Sequence, residues 1–220
     1  MGETVIRISD DGRIMVEKDD GGVKSFKQIA PDTLIECINK SLLRGAVHTG
    51  LLPKNCLSFS AYDDGNRDIV LLHSESRADV SYFDTEYKNF PLPKLVFGFQ
   101  LSKEGRVSSC RLGVIDNDGV IKPETKMYHY PLSNVNGFHL CTGNNTFPKC
   151  NSLHTLASLP YYIMGMPNNN DHFKPTLNKP RLEMRDLLEM LKYKEPSFYY
   201  SDVLLPNGAV LNNFIYGRSQ

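Results

Sequence analysis

Between Cys56 and Ile115 the chain repeats one pattern: a short apolar or alternating run, then a tight turn. The runs cover residues 56–62, 67–73, 94–101 and 107–115, and Asp63-Asp64-Gly65 and Lys103-Glu104-Gly105 punctuate them. Period-two alternation bounded by Gly and Asp is the signature of strands joined by hairpins. The turn-marked connections are far too brief for the dozen or more residues of a helical crossover, so the strands must pair antiparallel.

The flanks are read the same way. Residues 4–30 alternate apolar and polar positions and are broken by Asp10-Asp11-Gly12 and Asp19-Asp20-Gly21-Gly22, which predicts a small β meander. Pro31 then opens a helix predicted over 33–44. Thr33 and Glu36 have capping-box spacing, Leu34, Ile35, Ile38 and Leu42 share a face, and Gly45 stands where helices stop. Packing of that apolar face would make Cys37 a core residue. After Asn117-Asp118-Gly119, residues 125–130 form a last strand or an extended arm, and 132–152 are a long loop rich in Asn, Gly, Ser and Thr. A helical stretch over 152–164 is kinked or shortened by Pro160. The clearest helix has Pro180 in its first turn, Met184, Leu187, Leu188 and Leu191 on one face, and Pro196 as its limit. The aromatic tail, Phe198, Tyr199 and Tyr200, is expected to dock. One helix, a strand meander and further helices make an α+β domain, with the N-terminal meander at 1–30 and the main domain at 31–220.

Composition narrows the function. Lys plus Arg number 25 and Asp plus Glu number 25, which leaves no excess positive field for a phosphate backbone and argues against nucleic acid. No run approaches the roughly 20 apolar residues of a membrane span, and the first residues have no secretory pattern, so a cytoplasmic protein is expected. Cys37, Cys56, Cys110, Cys141 and Cys150 are an odd number and widely spaced, as reduced thiols would be. No glycine-rich phosphate motif is present and no cofactor is expected. Cys141, Cys150, His154 and His172 could supply four metal ligands, but they lack the close spacing of a zinc site.

The segment with the most chemical content is TKMYHYPLSNVNGFHLC, residues 125–141, followed 26 residues after its cysteine by Pro167-Asn168-Asn169-Asn170-Asp171. It resembles the ubiquitin-conjugating enzymes, where a strand leads into a His-Pro-Asn turn, an Asn-Gly loop and the catalytic cysteine. In this chain His129, Pro131 and Asn134 are dispersed, Asn136-Gly137 follows, and Cys141 closes the run. The Pro-Asn-rich turn is similar to the one that walls the cysteine's groove in that family. Phe90-Pro91-Leu92-Pro93 and the order of helix, sheet, cysteine loop and helices extend the likeness, which is nearest to bacterial members of mobile elements, among them prokaryotic family D and the protein B of PRTRC systems.

The resemblance implies a ubiquitin-conjugating-enzyme-like fold and a thioester between Cys141 and the C-terminal glycine of a ubiquitin-like protein. It implies a ubiquitin-activating-like enzyme as donor and a deubiquitinase-like peptidase encoded nearby. A thiolate stores acyl-transfer potential for a later amine. Asn134, with Asn136 second, is the candidate amide donor to the oxyanion, and Asp171 the candidate carboxylate to orient or deprotonate the incoming lysine. Two other readings stay open: the same fold as a non-catalytic binding or scaffold module, and a Cys-His hydrolase using Cys141 with His129, His139, His154 or His172.

Overall fold

A computed structural model of the chain describes residues 3–42 and 49–217, and these fall into two compact units, one within residues 1–48 and one from Thr49 onward. In the first unit, β1 (Glu3–Ile8), β2 (Ile14–Asp20) and β3 (Val23–Ile29) form the antiparallel meander that the alternation predicts. Its register sets Ile8, Ile14 and Ile29 side by side. Gly12 closes the first turn, donating its N–H to the Ser9 carbonyl at 2.8 Å. On the other face Glu17 accepts from Arg7 and Lys24 at 2.9 and 2.7 Å, and these cations hold its carboxyl below the usual range. α1 (Pro31–Leu42) follows. Its expected terminator, Gly45, lies outside the described residues. Cys37 is exposed, as are Ile35 and Ile38, so the expectation of a core cysteine is corrected: the apolar stripe that would have enclosed it is itself open to solvent.

The second unit is built on one antiparallel sheet. β4 (Cys56–Ala61), β5 (Arg67–His73), β8 (Leu95–Leu101) and β9 (Val107–Ile115) match the four runs of the sequence, and their spatial order is β4-β5-β8-β9. Between β5 and β8 the chain makes a separate hairpin, β6 (Ser76–Tyr82) and β7 (Thr85–Leu92). Side chains alternate across the sheet. Ile69, Leu71, Phe97, Phe99 and Leu112 point to a large core completed by the hairpin and the helices, while Val70, Val96 and Ile115 point to a smaller one. Each of these fully buried side chains contributes on the order of 1.5–3 kcal/mol.

The large core is closed by a 3-10 turn (Leu153–Ser158) leading into α2 (Leu159–Met164), and by α3 (Met184–Leu191) and α4 (Phe198–Asp202). Pro160 lies in the first turn of α2, where its missing N–H costs nothing, so the predicted helix is divided there. α3 buries Met184, Leu187, Leu188 and Leu191, the predicted stripe. It begins at Met184, which corrects the placement of Pro180 in its first turn. Arg181 has φ of +55°, and the Asn178 side chain bonds both Leu182 N–H and Leu182 C=O, a compact turn that no helix can run through. Tyr199 docks fully buried, its hydroxyl donating to the Pro91 carbonyl at 3.1 Å. The small core is closed by β10 (Lys126–Tyr128), which pairs β9 and β13 (Pro206–Val210), and by α5 (Leu211–Ile215) with Phe214.

Candidate active site around Cys141

The loop predicted over 132–152 contains a two-rung hairpin, β11 (Val135–Asn136) and β12 (His139–Leu140), which joins the sheet by pairing His139 with Arg111 of β9. Its turn places Gly137 at φ +61°, a region that side chains resist. The chain leaves the sheet immediately after Leu140, and Cys141 is the first residue to do so. Its N–H donates to the Asn134 carbonyl at 2.7 Å.

Asn134 is itself fixed from outside the hairpin. It has φ of +67°, which asparagine tolerates better than most residues. Its N–H donates to the Asp171 carbonyl at 2.8 Å, and its side-chain amide donates to the Pro167 carbonyl at 3.2 Å. The Pro167–Asp171 turn is held in turn by Ser133. That buried hydroxyl donates to Asn168 Oδ1 at 2.9 Å and accepts from Asn169 N–H at 3.2 Å. The turn's far side is anchored on the β6–β7 hairpin, where Asn168 N–H reaches the Ser81 carbonyl and the Tyr82 hydroxyl reaches Asn170 Oδ1. The two segments singled out in the sequence therefore meet, with Asn134 as the joint. Ser133 was not foreseen. A lone serine beside an Asn-rich loop carries no signal until its burial is known.

Cys141 is partly exposed and lines an open cleft of about 750 Å³ with Cys110, His139, Arg106 and Lys149 among its walls. Asp171 is exposed, and its carboxylate accepts from the Asn169 amide at 3.0 Å. Neither Asn134 nor Asp171 is among the residues lining this cleft, and Asn136 is not brought to it either. Asn136 lines a second one with His129 and Arg111, on the other side of the Asn136-Gly137 turn. Burial pulls the His129 pKa below its usual value. Two of the other thiols are more deeply buried than Cys141. Cys110 is buried in β9 and its pKa is pushed up to about 12 by desolvation. Cys150 is buried, its thiol also raised, and its N–H ties to the Gly105 carbonyl at 2.8 Å.

Among the described residues no group of three or more His, Cys, Asp or Glu side chains could hold a metal ion, and no helix is long and apolar enough to cross a membrane. Cys141 thus lines a cleft on a mixed α+β scaffold, in a loop supported by an asparagine-rich turn. The sequence model of prokaryotic E2 family D matches residues 37–198, about three quarters of the chain, and the protein belongs to that family. The match begins within α1, so residues 1–30 lie outside it. No curated protein and no solved structure matches the chain.

Proposed function

We propose that this family member is a conjugating transferase of ubiquitin-conjugating-enzyme-like fold, in which Cys141 accepts the C-terminal glycine of a ubiquitin-like protein from an activating-type enzyme and passes it to an amine. The observation that supports this reading is the linkage Cys141–Asn134–Pro167/Asp171: a partly exposed cysteine whose N–H bonds the Asn134 carbonyl, with the Asn134 N–H held by the Asp171 carbonyl and its side-chain amide by the Pro167 carbonyl. In the first step the Cys141 thiolate attacks the activated glycine carbonyl, the new C–S bond forms, and the previous leaving group departs. In the second, an amine attacks the thioester and the carbonyl oxygen becomes negative. An asparagine amide has two N–H donors. One of Asn134's is held by the Pro167 carbonyl, and the other serves the oxyanion, a contribution of about 3–4 kcal/mol in comparable sites. Asp171, exposed on the turn that holds Asn134, is the carboxylate assigned to orient the amine and take its proton.

The test is incubation with an activating-type enzyme, ubiquitin-like protein and ATP. The expected product is a reductant-sensitive adduct that vanishes in Cys141→Ala, and an adduct that survives the substitution excludes this cysteine. His139 shares the cleft with Cys141, which supports a second reading as a Cys-His hydrolase. That reading requires release of a processed product by the purified protein alone, and loss of release in His139→Ala.

A further inference from the structure

The cleft beside Cys141 has a wall of unusual kind: the outer edge of a strand. β9 pairs β8 along one side, but on its other side it meets β12 at Arg111 and β10 at Val114 and Ile115. From 107 to 110 that outer edge joins no strand of the described residues, and Val107, Ser108, Ser109 and Cys110 line the cleft. Leu112 turns its N–H outward to the Phe138 carbonyl at 2.8 Å, so by the two-residue period Cys110 presents its backbone N–H on the same side. Proteins normally blunt or cover such an edge because it templates pairing with another chain. Here it stands in line with β12, at the place β12 would occupy had the chain not turned away at Cys141.

The charge at the two ends differs. Cys150 N–H bonds the Gly105 carbonyl, which brings Lys149 beside Arg106 at the end far from Cys141. The residues lining the cleft include these two cations and no carboxylate. An extended peptide entering between the cations and running toward Cys110 lies parallel to β9. Four residues at 3.3 Å each span about 13 Å.

We propose that residues 107–110 of β9 receive the extended C-terminal tail of the ubiquitin-like partner as an added parallel strand. The tail's terminal glycine reaches Cys141, and an acidic side chain about four residues earlier meets Arg106 and Lys149. This rests on Cys141 as the acceptor thiol. Main-chain bonds to the edge supply affinity without side-chain selectivity, the cations supply the preference for acid, and the parallel sense delivers the C-terminus to the sulfur.

The probe is a synthetic peptide, acetyl-Asp-Val-Thr-Val-Gly, as its mercaptoethanesulfonate thioester. Transfer to the full-length protein forms a bond between Cys141 Sγ and the glycine carbonyl and releases the alkyl thiolate, which takes up the thiol proton. Intact mass follows the adduct. Backbone N-methylation of tail amides facing the edge slows it about tenfold. Lysine in place of the aspartate slows it about threefold, and Arg106→Glu with Lys149→Glu inverts that preference. Independently, the free-acid peptide added to Cys141→Ser perturbs the amide signals of 107–110, and a spin label on its N-terminus broadens Arg106 and Lys149 rather than His139.

Adduct formation at Cys141 that ignores N-methylation and charge overturns the strand proposal and leaves the acceptor thiol standing. No adduct, with the perturbations at 107–110 intact, removes the acceptor thiol and keeps the docking edge. Perturbations that follow protein concentration without peptide assign the edge to self-association and overturn the proposal, as does broadening at His139.

Discussion

Replacing Gly98 with alanine tests how the strand that walls the cleft is held. Gly98 lies mid-strand in β8, paired with Val70 and Arg111. A methyl group there would lie 2.9 Å from both Nε and Nη2 of Arg111. That guanidinium cannot easily yield. Its Nη2 donates to both carboxylate oxygens of Asp68, at 3.0 and 2.9 Å, and its Cζ lies 5.5 Å from the centre of the Phe214 ring. The pair is largely sequestered, with 17% of the Arg111 side chain and 10% of the Asp68 side chain exposed. Displacing one member strands the other, a loss of about 3–5 kcal/mol for a buried pair and of about 3 kcal/mol for one with this residual exposure. Alanine in place of glycine in a strand returns about 0.5–1 kcal/mol, so Gly98→Ala costs about 2–3 kcal/mol net. Urea unfolding followed by circular dichroism measures it as a lower midpoint at unchanged slope. In an Arg111→Ala background the same change becomes neutral or stabilising by about 0.5 kcal/mol. An equal loss in both backgrounds refutes the reasoning, since the clash would then not be with Arg111.

Further outcomes follow from the site. Asn134→Ala lets the Cys141 adduct form but slows its transfer to an amine about 10²–10³-fold, whereas equal loss of both steps would mean the side chain only shapes the loop. Iodoacetamide modifies Cys37 and Cys141 in the native protein and spares Cys110 and Cys150, which peptide mapping with and without urea reads directly. The Cys110 pKa is raised from 9.0 to about 12 on folding, so its contribution is complete below pH 9 and is lost as pH rises from 9 toward 12, at about 1.4 kcal/mol per pH unit. Cys110→Val therefore flattens the fall in urea midpoint between pH 9 and 10, before the tyrosines add theirs, and an unchanged slope would show that this thiol is not the source. Ser133→Ala removes a buried hydroxyl that Asn168 and Asn169 both use, and costs about 1–3 kcal/mol in the same unfolding assay.

The strands legible in the sequence were those whose turns carry glycine. Gly65 and Gly105 take φ of +85° and +82° in the turns that join β4 to β5 and β8 to β9, and such residues announce themselves. The β6–β7 hairpin was not legible because its turn is built on Phe83 at φ +48° and its second strand bends at Asn89 at φ +51°, neither a usual turn signal in that context. β11 and β12 escaped for another reason. Two residues are too few to show a period, and they exist as strands only because β9 and the Pro167–Asp171 turn hold them. Pro180 was a fair signal for a helix start that the Asn178–Leu182 turn displaced.

The sequence by itself determined the antiparallel strands, the α3 stripe and the two segments that meet at the candidate site, because turn chemistry and side-chain period are local properties. Which cysteine stands at a cleft, which asparagine supports it and which strand edge is left unpaired were decided only by tertiary structure. Exposure and pairing depend on what packs from distant parts of the chain: Cys110 is buried within β9 between its neighbours, whereas Cys141 is partly exposed because the chain leaves the sheet after Leu140.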